Sequence, residues 1–160
     1  MIAEKPKRKH LGYDPLPVCA EGEIALLGAV LLDNVYFAEI RDTLSADDWN
    51  LSSHRRIWEH MAELAESGVA VDIVTLCEYM GEEELGKVGG RAYLFSLTEN
   101  LPRKPAVTDY IRIVHEKALL RKIIGICELG NKYAMAQEHS AESIRRSIVT
   151  KLNLAFGGKG

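Results

Sequence analysis

Residues 71–97, VDIVTLCEYMGEEELGKVGGRAYLFSL, determine how the rest of the chain is interpreted. Asp72 is placed as a helix N-cap, because its carboxylate can accept hydrogen bonds from the free N–H groups of the first turn. Four apolar residues then recur at helical spacing: Ile73, Leu76, Cys77 and Met80. Gly89 and Gly90 interrupt this pattern before a second apolar run. The stretch predicts two short helices joined by a turn in which at least one glycine has a positive φ.

The composition of the 160-residue chain is that of one globular, mainly helical domain, with 47% hydrophobic, 27% charged and 7% aromatic residues. The net charge of -3 provides no general attraction for nucleic acid. Cys19, Cys77 and Cys127 are too far apart for a metal or redox motif and indicate a reducing compartment. Since no apolar run approaches a membrane span and no signal peptide is recognisable, we expect a cytoplasmic protein without a membrane partner.

Hydrophobic periodicity divides the chain into four parts and predicts an all-α fold. Residues 1–14 are predicted to be a disordered basic arm, either solvated or in contact with phosphates. Residues 15–105 are predicted to be a compact bundle of short helices. Residues 106–156 are predicted to be a C-terminal antiparallel helical hairpin, and residues 157–160 a disordered tail.

Small polar residues and one glycine mark details of these helices. Ser45 and Asp48 have the spacing of a capping box. The pair Ser52-Ser53 is expected to cap the next helix, and Ser140 the last one. Gly28 is expected to allow another helix to approach the first helix closely.

The first helix of the predicted hairpin carries more apolar residues than one neighbouring helix can cover. One continuous stripe is predicted to consist of Val107, Tyr110, Ile111, Val114, Ala118, Ile123, Ile124 and Cys127. Other faces than this main stripe are predicted to carry Leu119, Leu120, Ile126, Leu129 and Tyr133. Either the globular part of the same chain or a second hairpin must cover them. The sequence periodicity leaves both alternatives open.

No group of residues has the spacing of a catalytic, metal or nucleotide site. Glu82, Glu83 and Glu84 form one solvated turn, and His54 and His60 lie on different helix faces, which favours structural or surface roles. The pair Gly158-Lys159 resembles the end of a P-loop, but Asn153 and Gly160 occupy positions that require glycine and a hydroxyl residue. We therefore expect this chain to contain no catalytic residue, no metal site and no bound cofactor.

Several motifs resemble the N-terminal domain of bacterial replicative DNA helicases of the DnaB family. The resemblance covers about residues 15–133, and the segments that carry it are Asp33-Asn34, Ser45 to Asp48, His54-Arg55, Asp72 to Leu76, Val88 to Leu94, and Tyr110 with Ile113-Val114 and Leu120-Arg121. The sequence departs from the family pattern at Gly22, Ile24, Trp49 and Asn50.

This resemblance implies a non-catalytic domain that assembles the hexamer collar and docks primase and a helicase loader. ATP, Mg²⁺ and DNA would be handled by a C-terminal motor domain that these residues do not include. The homo-oligomer interface is expected on the hairpin, at Val107, Ile111, Leu119, Leu120, Ile123, Ile126 and Tyr133. Partner binding is expected at Tyr93, within the matched segment, and at Ile124, beside Gly125. The alternative is a small all-α nucleic-acid-binding regulator, whose affinity for duplex DNA would fall steeply with salt.

Overall fold

A computed structural model describes residues 15–157, which form seven α-helices and one short 3₁₀ helix. The helices are α1 (Ala20–Leu32), α2 (Val35–Thr43), α3 (Ser52–Glu66), α4 (Ile73–Val88), α5 (Gly90–Ser96), α6 (Val107–Ala136) and α7 (Ala141–Phe156), and the 3₁₀ helix spans Ala46–Asp48. The described residues contain no strand, so the all-α prediction is confirmed. The predicted basic arm and residues 158–160 of the predicted tail lie outside this range.

The stretch around α4 and α5 has the predicted caps and turn. The Thr75 N–H donates to Asp72 Oδ1 at 2.9 Å, and the Asp72 N–H donates to Thr75 Oγ1 at 3.0 Å. Gly89 and Gly90 both have positive φ angles, 104° and 80°. A further interruption was not predicted: Gly81 lies inside α4 with φ 69° and ψ 167°.

The other predicted caps have mixed outcomes. The Ser45 N–H donates to Asp48 Oδ2 at 2.9 Å, and Ser140 Oγ accepts from the Ser143 N–H at 3.2 Å, as predicted. The prediction for Ser52-Ser53 is wrong, because α3 begins at Ser52 with Leu51 as its N-cap and without a side-chain cap.

The core forms around α1, which packs against α2, α3 and α6. Leu26, Leu27 and Val30 of α1 are fully buried. A Cβ atom at Gly28 would lie 2.0 Å from the Leu97 carbonyl oxygen. The predicted close approach at Gly28 is thus confirmed, and the approaching group is the backbone at the end of α5.

The first half of α6 belongs to the same core. Val107, Ile111, Val114 and Ala118 are 2–5% exposed and recur at helical spacing along the side that packs on α1. Packing therefore continues across the predicted division between residues 105 and 106. This corrects the prediction that Val107 and Ile111 contact a second subunit, because the core of their own chain encloses both side chains.

The second half of α6 carries α7 as the predicted antiparallel partner. A Cβ atom at Gly130 would lie 2.7 Å from Ile148 Cδ1, so the two helices approach closely there. None of the residues of α7 is buried, and α6 is its main packing neighbour. Within residues 15–157, no helix is both long and apolar enough to cross a membrane.

Candidate functional site

Three stripes of apolar residues run along α6, and each faces a different environment. The prediction of one continuous stripe from Val107 to Cys127 is therefore wrong, because only its members up to Ala118 reach the core. The stripe that ends at Ala118 faces the core. A second stripe, Leu119, Ile123, Ile126 and Gly130, has the spacing 4, 3, 4 and includes the glycine that contacts Ile148. Three of the predicted interface residues, Leu119, Ile123 and Ile126, therefore lie on the side of α6 that faces α7.

The third stripe, which we call the outer stripe, consists of Ile113, Leu120, Ile124 and Cys127. Ile113 is 36% exposed, Leu120 and Ile124 are half-buried, and Cys127 is exposed. Leu120 and Ile124 each follow a residue of the α7-facing stripe by one position. They are thus rotated about 100° away from α7.

An apolar row on α7 extends this surface. Val149 is 42% exposed and Phe156 is 52% exposed, with the half-buried Leu152 between them. Val149 follows Ile148, the residue that contacts α6, by one position. In an antiparallel pair, residues rotated in the same sense from the contact line lie on the same face. The outer stripe and this row therefore form one apolar face of the hairpin.

The predicted interface residue Tyr133 lies near the tip of the hairpin. Its ring meets the His139 ring edge-on, with centroids 5.5 Å apart, across the loop that joins α6 to α7. Tyr133 is half-buried, so part of its ring contributes to the tip surface.

Two basic residues of α6 join the hairpin to the globular part. Arg121 donates from Nη1 to the Pro17 carbonyl at 2.8 Å and from Nη2 to the Asp48 carbonyl at 2.6 Å. Lys122 Nζ lies 2.7 Å from Oδ1 of Asp48, a carboxylate that is only 2% exposed. Burial lowers the pKa of Arg121, which nevertheless remains a cation. These contacts fix the root of the hairpin.

A cleft of about 520 Å³ separates the end of α7 from the globular part. Leu154 and Ala155 line one side, and Leu44 and Trp58 line the other. Its charged residues, Arg41, Asp42, Asp48 and Lys122, are of both signs, so the cleft has no preference for an anion or a cation. The part of the chain that the structure describes has no cluster of side chains that could hold a metal ion.

The second predicted partner residue, Tyr93, is anchored by buried polar groups. Its hydroxyl lies 2.6 Å from His54 Nε2, and His54 Nδ1 lies 2.6 Å from Glu23 Oε2. His54 is fully buried and Glu23 is 1% exposed, whereas Tyr93 is half-buried. Burial and the Glu23 carboxylate raise the pKa of the Tyr93 phenol. The structure thus separates Tyr93, on α5, from Ile124, on the outer stripe.

Sequence reasoning assigned no role to Glu23, although this residue connects α1 to α3. Its Oε1 accepts from the Asn50 N–H at 2.7 Å, and its Oε2 accepts from the Leu51 N–H at 3.5 Å, just before α3 begins. The available signal was an acidic residue beside the apolar run from Ile24 to Leu32, on the first turn of α1.

Comparisons with known proteins identify related sequences and folds. The sequence profile of the family described as DnaB-like helicase N terminal domain matches residues 16–116. The replicative DNA helicase DnaB of Pasteurella multocida is 36% identical over 111 residues, which cover 69% of this chain and 24% of that protein. The replicative DNA helicase DnaB of Treponema pallidum is 37% identical over 125 residues, covering 78% of this chain and 28% of the relative. The chain thus spans about a quarter of the length of these relatives.

Two solved structures have the same fold. The crystal structure of the N-terminal domain of DnaB helicase from Mycobacterium tuberculosis matches with a TM-score of 0.80 and 23% identity, covering 86% of this chain and 98% of that one. A DnaB-like replicative helicase, solved in a study of its interactions with primase, matches with a TM-score of 0.72 and 21% identity, covering 84% of this chain and 30% of that one.

Proposed function

This chain belongs to the family of DnaB-like helicase N-terminal domains, and on that premise we propose that it assembles a replicative DNA helicase and docks its partners. The observation that supports this proposal best is the apolar face of the hairpin, whose residues stay half-buried or exposed within residues 15–157. Such a face is uncommon on a monomer and is typical of a protein contact. The alternative class, a nucleic-acid-binding regulator, has no comparable feature among the described residues.

Self-association is proposed to occur through the outer stripe and the row on α7. A two-fold axis would place the outer stripe of one copy against the same stripe of a second copy, as in an isologous interface. Leu120 and Ile124 lie in the middle of the stripe. Leu119, Ile123 and Ile126 would support this contact from within the hairpin, by holding α6 against α7.

Sedimentation equilibrium at micromolar concentrations tests this proposal. The wild-type chain should form dimers or larger assemblies, and the double variant Leu120→Ser/Ile124→Ser should be monomeric. The matched control is Leu32→Ser/Val35→Ser, because these side chains are 60% and 67% exposed outside the hairpin. A monomeric wild-type chain, or equal loss of association in both double variants, would contradict the proposed interface.

Primase docking is proposed to involve Tyr93 and Ile124. One structural neighbour, the DnaB-like replicative helicase, was solved in a study of its interactions with primase. Ile124 belongs to the outer stripe, so self-association and primase docking would compete for it. Tyr93 lies on α5 and would be free of that competition, which makes it the stronger candidate.

Parallel measurements of binding and melting separate a docking residue from a core residue. Tyr93→Ala and Ile124→Ala should weaken binding to the C-terminal domain of the cognate primase, measured on the folded fraction by calorimetry. Phe95→Ala, on the same helix as Tyr93 and 53% exposed in the wild type, is the control and should leave binding unchanged. A large drop in melting temperature together with unchanged affinity would remove either residue from the docking site.

The remaining roles concern a longer protein. A helicase loader is a further proposed partner, and contact with DNA is proposed to occur only through the full-length helicase. ATP and Mg²⁺ are proposed to bind in a motor domain within the part of the relatives that this chain does not match.

A further inference from the structure

The Glu23–His54–Tyr93 relay connects three helices through two short hydrogen bonds. Glu23 comes from α1, His54 from α3 and Tyr93 from α5, and both bonds are 2.6 Å long. The first two side chains are completely enclosed, while Tyr93 is half-buried. The relay therefore leads from the core to a side chain that reaches the surface.

The partners of Glu23 determine which histidine nitrogen carries hydrogen. Both carboxylate oxygens accept from backbone N–H groups, those of Asn50 and Leu51. Because these groups only donate, Glu23 acts as an acceptor on both oxygens. The hydrogen between Glu23 and His54 therefore lies on Nδ1 of the histidine.

The surroundings of His54 favour a neutral ring. The ring is fully buried, and its two bonded partners are the Glu23 carboxylate and the Tyr93 hydroxyl. Glu23 already accepts from two backbone N–H groups, and a charged ring would be costly in this enclosed site. A neutral ring protonated at Nδ1 carries a lone pair at Nε2.

We propose that His54 is the Nδ1–H tautomer and that the Tyr93 hydroxyl donates its only hydrogen to His54 Nε2. The hydroxyl then keeps its oxygen lone pairs but has no hydrogen for a partner. His54 and Glu23 act as positioning residues, since they hold Tyr93 and fix the direction of its hydrogen bond.

The consequence for binding rests on the proposed function, that is, on a partner contact at Tyr93. A partner group that meets the hydroxyl must donate a hydrogen bond. Lysine, arginine, an amide side chain or a backbone N–H meets this requirement, and a carboxylate does not. The net charge of -3 on the chain also favours a basic partner segment.

Nitrogen NMR of the ¹⁵N-labelled full chain tests the tautomer without a partner. The His54 ring should show a protonated Nδ1 and an unprotonated Nε2 at neutral pH, with the other four histidines as internal references. Tyr93→Phe should shift the Nε2 signal of His54, which also assigns it. Tyr79→Phe removes a hydroxyl bonded to Glu63 at 2.8 Å and should leave the His54 signals unchanged. A protonated Nε2 on His54 in the wild type would overturn the inference.

Calorimetry with the primase C-terminal domain tests the consequence separately. Tyr93→Phe should lower the affinity about fivefold, the loss expected for one hydrogen bond. If the NMR result is as expected but neither Tyr93→Phe nor Tyr93→Ala changes the affinity, the Nδ1–H tautomer is supported and the proposed docking site at Tyr93 is wrong. If Tyr93→Ala weakens binding and Tyr93→Phe does not, the docking site is supported, but no partner group donates a hydrogen bond to the Tyr93 hydroxyl.

Discussion

Gly81 holds a backbone conformation that is essentially restricted to glycine, in the middle of a helical sequence. Its φ of 69° and ψ of 167° split α4 into two parts that run in different directions. A side chain at this position would find open space, so the restriction comes from the backbone alone. The kink lets Leu85 and Val88 reach the same core as Leu76 and Met80.

Gly81→Ala should therefore destabilise the domain by about 1–3 kcal/mol, because a residue with a side chain is strained at these φ and ψ angles. Gly86→Ala is the matched control, since Gly86 lies in the same helix with a helical backbone and equally open space. It should stabilise the domain by up to ~1 kcal/mol. Urea denaturation of both variants measures the difference. Equal effects of the two substitutions would show that the kink carries no strain for an L-residue.

Tyr93 makes the stability of the domain sensitive to alkaline pH. Burial and Glu23 raise the pKa of its phenol above the usual value of 10.0, which also applies to the unfolded chain. The stabilising contribution is fully present below that value and is lost as the pH rises through the folded-state pKa. Tyr93→Phe should therefore lose less stability than the wild type between neutral and strongly alkaline pH, as measured by denaturation at several pH values. Tyr133→Phe is the control, because that ring lies at the tip of the hairpin against His139, away from Glu23.

The start of α3 depends on a residue from another helix. Glu23→Gln should lower the unfolding free energy by about 2–4 kcal/mol, because the amide NH₂ would oppose a backbone N–H or the His54 ring in a buried site. Ser52→Ala and Ser53→Ala should stay within about 0.5 kcal/mol of the wild type, since neither serine caps the helix. Chemical denaturation measures all three variants. If a serine variant were as unstable as Glu23→Gln, a serine would cap α3 after all, and the role given to Glu23 would be wrong.

These helices also show what the sequence could predict and why. Asp72 and Ser140 cap the helices that immediately follow them, so a window of four residues contains the whole interaction. The segment that leads into α3 is instead held by Glu23, 27 residues before Asn50, and no local pattern reveals this contact. Gly81 was missed because apolar residues continue past it at helical spacing.

The stripes of α6 were only partly predictable for a similar reason. Periodicity assigned Val107, Leu119 and Leu120 to different faces, but which face meets α1, α7 or solvent depends on the tertiary arrangement. Periodicity alone therefore predicts Val107 and Ile111 at a subunit interface, although the core of their own chain encloses them.

At the scale of the whole molecule, a globular body carries a long helix that extends beyond it. The 30 residues of α6 span about 45 Å, and only the first half is enclosed by the body. The remaining half and α7 present their apolar face to the surroundings. The enclosed half of α6 anchors the hairpin in the body, and the projecting half with α7 offers a contact surface. This arrangement suits a domain whose proposed function is to bind other chains.

Purified protein of this sequence should not hydrolyse ATP above background. The expectation comes from the failed P-loop comparison at Asn153 and Gly160, and it belongs to the molecule as a whole because no other segment offers a phosphate-binding loop. A coupled phosphate-release assay measures hydrolysis, and calorimetry should detect no ATP binding. Turnover that co-purifies with the monomeric or assembled chain would contradict it.

The absence of buried residues in α7 has a consequence for local unfolding. A 16-residue helix without buried side chains is only marginally stable alone, so α7 depends on its contact with α6, including the close approach of Ile148 to Gly130. Its amide hydrogens should exchange with solvent well before those of α1 in the free chain. A second copy seated on the hairpin would slow that exchange. Association with that second copy would then complete the folding of α7.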